Sequence, residues 1–247
     1  MRRQVVITGG GRGIGASLSR ALVQTGFTVQ IVGHRSVTAG AALCEELDTQ
    51  YGEGSARWVG CDLGDALDVE RLCRSLEQDE VYGLVHCAGI SQDSLAAVAD
   101  LDAARRMMQI NFWTFVQLYQ ALVRPMSMRR AGRILCIGSV AADFGMKGNA
   151  LYASSKAALR GFVRSSMTEV ASRAITINCI EPGFIDTALL ERYADQRMAI
   201  DRRIPAGRFG SPEEVAGLAA FLFSEAGGYI NGQHLTVDGG LSRSIAG

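Results

Sequence analysis

Short apolar runs alternate with helix-length segments along the 247-residue chain. Alternation of this kind predicts a parallel sheet, because right-handed crossovers place helices on both of its faces. We therefore predict an α/β fold with one domain over residues 1–247, a doubly wound parallel sheet of about seven strands. The predicted strands span residues 4–8, 28–32, 56–60, 83–87, 133–138, 175–180 and 233–237.

Several residues that could take part in binding or catalysis follow these strands directly. Asp62 follows the third strand, Ala88-Gly89 the fourth, Ser139 the fifth and Pro182-Gly183 the sixth. In an open parallel sheet, ligands bind beyond the carboxyl ends of the strands, where the strand order reverses. We therefore expect one crevice to collect these residues.

The first predicted strand leads into a glycine-rich turn, VVITGGGRGIG. Glycines allow the backbone to approach a phosphate closely, and a helix over about residues 14–24 would present its amide groups to a pyrophosphate. The turn therefore predicts an anion site made of backbone. An ordinary strand-to-helix turn is the alternative for this motif taken alone.

Composition narrows the classes of function. Hydrophobic residues make up 48% of the chain, with 29 glycines and four prolines, which suits a compact α/β protein. The 25 basic and 25 acidic side chains cancel, so no overall field attracts nucleic acid or an anionic membrane. No apolar stretch is long enough to span a bilayer, and none near the start resembles a signal peptide, so we expect a cytoplasmic protein.

The six cysteines are scattered along the chain, and the three histidines are dispersed as well. Neither set has the spacing of metal ligands, so we predict no metal site and expect most of the cysteines to be buried thiols. The cysteines are Cys44, Cys61, Cys73, Cys87, Cys136 and Cys179.

The segment LYASSK places Tyr152 and Lys156 four residues apart, on one face of a helix that begins near Ala150. A tyrosine has a pKa of about 10, and an adjacent ammonium lowers it by favouring the phenolate. Ser139, at the end of the preceding strand, can hydrogen-bond a reacting carbonyl oxygen. Together they predict a hydride-transfer enzyme. For Tyr152 or Lys156 taken alone, the alternative is an ordinary surface residue of a helix. For Ser139 taken alone, the alternative is a cap at the end of a strand.

These motifs together resemble the short-chain dehydrogenase/reductase family over essentially the whole chain, and within it the 3-oxoacyl-[acyl-carrier-protein] reductases most. The resemblance implies a Rossmann-like fold and a catalytic tetrad. Tyr152 would be the general acid, Lys156 would tune its acidity and bind ribose, and Ser139 would orient the carbonyl. The motifs are TGGGRGIG, CDL, CAG, GS, YASSK, PG, EVASRAITINCIEPGFIDT, IPAGRFGSPEEVA and YINGQHLTVDGG.

The fourth member of the implied tetrad is Asn111, which would hold a proton-relay water. It lies in MQINFWTFVQL, whose apolar spacing predicts a core helix and therefore a buried amide that needs a partner. The resemblance also implies the residues that bind the cofactor. They are Gly9, Gly11, Arg12, Gly13, Ile14 and Gly15 at the pyrophosphate, Asp62 and Leu63 at the adenine, Ala88 and Gly89 at the adenosine ribose, and Pro182, Gly183, Ile185 and Thr187 at the nicotinamide.

An NAD enzyme usually has an acidic residue at the end of the second strand, where it binds the ribose 2′-hydroxyl. This chain instead has His34 and Arg35 there, between Gly33 and Ser36. Arg35 can pair with a 2′-phosphate, and Arg12 can reach it from the glycine-rich turn. We therefore predict NADPH as the cofactor, with His34 and Arg35 among its ligands. For either arginine alone, a solvated surface charge is the alternative.

One dipeptide departs from the family's pattern. His86-Cys87 stands where two asparagines are common, so side-chain hydrogen bonds around the adenosine are expected to be lost while Ala88 and Gly89 still provide backbone and space. A second irregular feature is the segment 183–212, which has mixed charges. We interpret it as a lid over the crevice, with two short surface helices as the alternative.

The predicted reaction is the NADPH-dependent reduction of a 3-oxoacyl thioester on an acyl carrier protein. Arg129, Arg130 and Arg173 are candidates for docking that acidic partner near the mouth of the crevice, with solvation of helix ends as the alternative. Two other functions stay open, a reductase of free small ketones or alcohols and a catalytically silent NADP-binding regulator. The resemblance also implies a homotetramer, to which the apolar segments MQINFWTFVQLYQALVRPM and FLFSEAGGYINGQ could contribute.

Overall fold

A seven-stranded parallel sheet forms the centre of the computed structural model, which describes residues 2–34 and 37–244. The strand order is β3-β2-β1-β4-β5-β6-β7, so the order reverses between β1 and β4. The predicted fold class is confirmed. The strands are β1 Gln4–Thr8, β2 Thr28–Gly33, β3 Ala56–Gly60, β4 Val81–His86, β5 Gly132–Ile137, β6 Ile175–Pro182 and β7 His234–Val237.

Helices cover both faces of the sheet, as predicted. On one face α1 packs against α2 and α8, and on the other α3 packs against α5 while α6 lies against β6. The helices are α1 Gly13–Gln24, α2 Val37–Tyr51, α3 Ala66–Leu76, α4 Leu101–Met108, α5 Thr114–Arg129, α6 Ala150–Val170, α7 Arg197–Asp201 and α8 Pro212–Phe223. None of the helices among the described residues has both the length and the apolar character that crossing a membrane requires.

Alternation along β1 divides the core into two layers. Val5 and Ile7 point to the layer under α1 and α8, whereas Val6 points to the layer under α5 and α6. All three side chains are fully buried. A strand covered on both faces is apolar at every position, which is why the central strands appear in the sequence as continuous apolar runs.

Two helix starts are fixed by their own side chains. Asp65 accepts hydrogen bonds from the amides of Leu67 and Asp68 and so begins α3. Ser211 and Glu214 form a reciprocal capping box at α8, with Pro212 in its first turn. These caps fix the residues at which the two helices begin.

Candidate active site

A cleft of about 650 Å³ lies at the carboxyl edge of the sheet, above the point where the strand order reverses between β1 and β4. It extends from Trp58 and Asp62 beside β3 to Leu190 and Tyr193 beyond β6. The predicted crevice therefore exists. It is lined by every residue predicted after a strand, namely Asp62, Ala88, Gly89, Ser139, Pro182 and Gly183.

The glycine-rich turn forms the floor of the cleft at the start of α1. Gly9 and Gly13 have positive φ angles of 68° and 51°, which favour glycine. A Cβ on Gly15 would lie 2.0 Å from the carbonyl oxygen of Gly9, so no side chain fits where the turn meets the helix. Arg12 precedes α1 in an extended conformation and makes no side-chain cap. The N-terminus of α1 therefore faces the cleft, as an anion site requires.

Tyr152, Lys156 and Ser139 converge on the cleft from α6 and the end of β5. The Lys156 ammonium is buried, donates to the carbonyl oxygen of Ile137 at 2.8 Å, and lies 5.9 Å from the centre of the Tyr152 ring. Ser139 is half-buried, and its Oγ accepts from the amide of Ala141 at 3.1 Å. The shared helix face that the spacing predicted is therefore present, with a positive charge held beside the phenol.

Asn111 lies directly behind the wall of the cleft and is fully buried. Its Nδ2 donates to the carbonyl oxygen of Ile90 at 3.0 Å and to Ser155 Oγ at 2.9 Å, while its Oδ1 accepts from the amide of Ile90 at 2.9 Å. Because both side-chain N–H groups are used, a water held by Asn111 must donate to an acceptor of this residue, which is either the remaining lone pair of Oδ1 or the backbone carbonyl oxygen. The relay role stays a prediction with that constraint.

The core helix that the apolar spacing predicted around Asn111 contains an irregular turn. Residues Gln109–Trp113 form a π-helical turn between α4 and α5. Such a turn contains one extra residue, which shifts the side chains of the following helix relative to a regular α-helix. The core helix and the buried amide with partners were predicted correctly, and the π-helical turn within the helix was not predicted.

His86 points into the core rather than into the cleft. Its Nε2 lies 3.0 Å from the carbonyl oxygen of Ile110, and its Nδ1 lies 2.9 Å from Thr8 Oγ1. The carbonyl can only accept, so Nε2 carries the proton and Nδ1 accepts from the Thr8 hydroxyl. Burial, together with the charge of Lys156, lowers the pKa of His86 to about 3 and keeps the ring neutral.

His86 thus ties the glycine-rich turn to the segment that carries Asn111. Thr8 Oγ1 also accepts from the amide of Ala88 at 3.2 Å, which fixes the backbone after β4. Cys87 lies in the cleft wall, and burial raises the pKa of its thiol to about 12. His86 makes its two hydrogen bonds inside the core and does not line the cleft, so the expected loss of side-chain hydrogen bonds around the adenosine stays a prediction.

At the β3 end of the cleft, Asp62 is held by a cation that the sequence did not indicate. Arg106 Nη2 donates to both Asp62 carboxylate oxygens at 2.8 and 2.9 Å, and the amide of Gly64 donates to Oδ1 at 2.9 Å. Burial is the largest single influence and raises the pKa of Asp62, but the hydrogen bonds from Arg106 and Gly64 and the nearby positive charge together outweigh it, so the pKa is lowered. His34 lies 3.6 Å from the same carboxylate. Leu63 and His34 also line the cleft, whereas Arg35 lies outside the described residues.

Trp58 is a second cleft residue that sequence reasoning missed. Its indole packs against three glycines, so that a Cβ on Gly40 would lie 2.0 Å from the ring and one on Gly33 2.5 Å from it. Gly11, in the phosphate turn, is the third, with a corresponding distance of 3.0 Å. The aromatic ring thereby joins α2, β2 and the turn at one end of the cleft.

The opposite end of the cleft is mostly apolar and is formed by three separate segments. Its walls come from the loop after β4, the loop before α6 and the segment after β6. The apolar side chains are Ile90, Phe144, Met146, Phe184, Ile185 and Leu190, with Thr187, Asn149 and Tyr193 as polar neighbours.

Segment 183–212 contributes directly to this wall. It contains a 3₁₀ helix over Ala188–Gln196 followed by α7, and the Tyr193 hydroxyl donates to Asp93 at 3.0 Å across the mouth of the cleft. Two short helices are present, as in the alternative interpretation, and the first of them lines the cleft through Ala188, Leu190 and Tyr193. A gating motion stays a prediction.

The three candidate docking arginines lie at the other edge of the sheet. Arg129 donates to the carbonyl oxygen of Val81, the first residue of β4, and Arg130 donates to that of Ser172. Arg173 is exposed two residues before β6 begins. The expected position of these arginines near the mouth of the crevice is therefore wrong. Within one chain, the length of strands β4 to β6 separates the arginines from the cleft. Contact with a carrier protein stays a prediction.

The fold also brings together three side chains that could ligate a metal ion but are not close in the sequence. Side-chain atoms of Cys179, Glu181 and His234 lie within 4.8 Å of one another on β6 and β7. The nearby Cys179 thiol and Glu181 carboxylate, whose Oε1 lies 3.4 Å from the ring Nδ1, raise the pKa of His234 to about 9. Arg160 bridges Glu181 to Asp143, so two positive and two negative side chains balance between α6 and the sheet. The expected dispersal of the histidines and cysteines does not hold for this cluster.

Sequence comparisons agree with this geometry. A family model described as enoyl-(acyl carrier protein) reductase matches residues 9–242. The 3-oxoacyl-[acyl-carrier-protein] reductase FabG of Vibrio harveyi is 35% identical over 239 residues, which cover 96% of each chain. The protein of the same name from Salmonella typhimurium is 36% identical over the same length and coverage.

Solved structures match over nearly the whole chain as well. A putative NAD(P)-dependent gluconate 5-dehydrogenase from Beutenbergia cavernae with bound NADP has a TM-score of 0.92 and 33% identity, covering 98% of this chain and 97% of that one. A blue fluorescent protein from a metagenomic library, in complex with NADPH, has a TM-score of 0.90 and 32% identity with 97% coverage of both chains. The matches thus include nicotinamide-binding proteins with different substrates.

Proposed function

We propose that this chain, which belongs to the short-chain dehydrogenase/reductase family, uses NADPH to reduce a 3-oxoacyl thioester on an acyl carrier protein to its 3-hydroxyacyl form. Membership makes it an oxidoreductase with a cofactor of the NAD(P) type. The observation that carries the finer proposal is the apolar end of the cleft directly beside Tyr152, Lys156 and Ser139.

The residues present fit a dinucleotide. The glycine-rich turn leaves room for a pyrophosphate at the N-terminus of α1, and the cleft continues from there to Trp58 in one direction and to Tyr152 in the other. When bound, NADPH supplies the hydride. Both Arg12 and Lys156 line the cleft, and we expect Arg12 to contact a 2′-phosphate from the turn and Lys156 to hold a ribose beside the phenol.

The protein's part of the reaction follows from the polar groups around Tyr152. The Tyr152 hydroxyl transfers its proton to the oxygen of the reacting carbonyl, while Ser139 Oγ donates a hydrogen bond to the same oxygen. The ammonium of Lys156 stabilises the negative charge that the phenol oxygen gains as the proton leaves. The buried position of Lys156 strengthens this interaction, because little water screens it.

The apolar walls favour an acyl chain as substrate. Phe144, Met146 and Phe184 offer no hydrogen bonds, so a polyhydroxylated acid would lose contacts with water there that the walls do not replace. The names of the curated relatives support a carrier-bound 3-oxoacyl substrate, and the description of the family model also names a carrier protein. The similarity to a putative gluconate 5-dehydrogenase favours the second candidate, a reductase of free small ketones.

The proposal also includes a homotetramer and a cytoplasmic location. Trp113, Phe221 and Tyr229 are large apolar side chains that are 51%, 44% and 100% exposed on the segments expected to form interfaces. Exposed apolar side chains in these segments support a homotetramer. The cytoplasmic location stays a prediction.

The proposal is tested by measuring turnover of 3-oxoacyl thioesters of several chain lengths with NADPH and with NADH. We expect kcat/KM to be at least about tenfold higher with NADPH, because charge-assisted bonds to a 2′-phosphate contribute about 1.5 kcal/mol or more. Arg12→Ala should lower kcat/KM with NADPH more than with NADH and so reduce that preference. A preference for NADH contradicts the cofactor, and turnover of small hydroxy acids but not of thioesters contradicts the substrate.

A further inference from the structure

The amide of Asn149 is the most conspicuous unused polar group in the cleft. Asn149 lines the cleft, is 8% exposed, and directly precedes α6 without capping it. Across the described residues, no group donates a hydrogen bond to its buried Oδ1. A buried amide oxygen without a donor is costly, so its place in a ligand-binding cleft calls for an explanation.

Its position relates it to the reacting groups. Asn149 and Tyr152 are three residues apart at the start of one helix, so their side chains emerge as neighbours about 5–6 Å apart at Cβ. The first turn of α6 also has the partial positive charge of a helix N-terminus, which favours an electronegative atom there. A carbonyl oxygen next to the one bound by Tyr152 would therefore meet both the helix terminus and the Asn149 amide.

The proposed substrate has such an oxygen. A 3-oxoacyl thioester contains two carbonyl groups separated by one methylene carbon, and only the 3-oxo group is reduced. Ser139 and Tyr152 account for the 3-oxo oxygen but leave the thioester oxygen without a donor. An asparagine amide has two N–H donors, and a half-turn about its terminal bond exchanges Nδ2 with Oδ1.

We propose that Asn149 binds the thioester carbonyl oxygen of the substrate through its side-chain amide and thereby selects 3-oxoacyl thioesters over simple ketones. This inference rests on the proposed function, since it assigns the second carbonyl of that substrate. The hydrogen bond fixes the acyl group at two oxygens rather than one, which orients the 3-oxo carbon for hydride transfer.

Two substrates that differ only at the second carbonyl provide the test. One is the 3-oxobutanoyl thioester of N-acetylcysteamine, and the other is the matching keto thioether, in which a methylene replaces the thioester carbonyl. In Asn149→Ala and Asn149→Leu, we expect kcat/KM for the thioester to fall about tenfold, the effect of one lost hydrogen bond in a buried site. For the thioether it should change by less than about twofold.

Folding and local effects are separated by two further measurements. Asn149→Leu has a similar side-chain volume and removes the unpaired amide, so its Tm should equal or exceed that of the wild type. Lys147→Leu is the matched control, because Lys147 is exposed in the same loop, and its ratio of the two substrates should equal that of the wild type.

The possible failures are distinct. If both substrates are affected equally in the Asn149 variants, or neither is, Asn149 does not recognise the second carbonyl and the inference is wrong while the proposed function stands. If the wild-type enzyme reduces the thioether but not the thioester, the proposed substrate itself is wrong, and the inference is overturned with it.

Discussion

Replacing His86 with phenylalanine isolates the two hydrogen bonds that join the glycine-rich turn to the Asn111 segment. Phenylalanine retains a ring of similar size and the stacking on Phe115, whose centre lies 5.5 Å from that of His86. The substitution leaves the carbonyl oxygen of Ile110 buried without its donor and removes the acceptor of the Thr8 hydroxyl. At pH 7 we expect a loss of about 2–4 kcal/mol in the free energy of unfolding.

The pH dependence of that loss is the sharper test. The pKa of His86 is lowered to about 3 in the folded protein, whereas an unfolded histidine titrates near 6.5. Between these values the unfolded chain binds a proton that the folded chain does not, so the wild type loses stability as the pH falls below 6.5. At pH 5 this lowers the free energy of unfolding of the wild type by about 2 kcal/mol, a loss that His86→Phe lacks.

Urea unfolding of the two proteins at pH 7 and pH 5 measures this difference. The gap between wild type and His86→Phe should narrow by about 2 kcal/mol at the lower pH. Carboxylates contribute equally to both proteins, so they cancel in the comparison. A gap that stays constant would show that the pKa of His86 is the same in the folded and unfolded states, and a gap that widens would show that the folded protein holds His86 protonated. Either result would refute the neutral tautomer and the hydrogen bonds assigned to it.

Two further substitutions test other contacts of the cleft. Gly40→Ala would place a Cβ 2.0 Å from the Trp58 ring, so it should destabilise the protein by about 1–3 kcal/mol and weaken NADPH binding in a fluorescence titration. The control is Gly217→Ala, whose Cβ would have no atom within 4 Å. It should leave NADPH affinity unchanged and leave Tm unchanged or slightly raised. Asp143→Asn removes the ion pair that Arg160 makes with the loop after Ser139, so kcat should fall several-fold while Tm drops by no more than about 4 °C. The control is Glu46→Gln, which removes the exposed ion pair between Arg20 and Glu46, neither of which lines the cleft. If Asp143→Asn and Glu46→Gln had the same kcat, a positioning role for Asp143 would be contradicted.

The strands and the catalytic face of α6 were predictable because they depend on local patterns. β1 and β3 match their predicted bounds, and α6 begins at Ala150 as expected. β4 begins two residues earlier than predicted, at Val81, where its pairing with β1 changes register beside Gln4. β6 extends to Pro182 because β7 continues to pair with it. These differences are set by neighbouring strands, which the pattern of one segment does not specify.

The residues that were missed owe their roles to partners far away in the chain. Arg106 meets Asp62 across 44 residues, and His86 meets Thr8 across 78. Trp58 matters because Gly33 and Gly40 leave room for its ring, a relation that no spacing indicates. The docking arginines were misplaced for the same reason, since their distance from the cleft depends on which ends of β5 and β6 face it.

The central claim is that Tyr152 donates the proton to the substrate carbonyl beside the charge of Lys156. Single-turnover reduction of a 3-oxoacyl thioester by Tyr152→Phe, with NADPH affinity measured on the same sample, tests it directly. The rate of hydride transfer should fall by about 10²–10⁴-fold while the affinity for NADPH changes by less than about threefold. A rate within tenfold of the wild type would contradict the claim, because the ring without its hydroxyl has no proton to give.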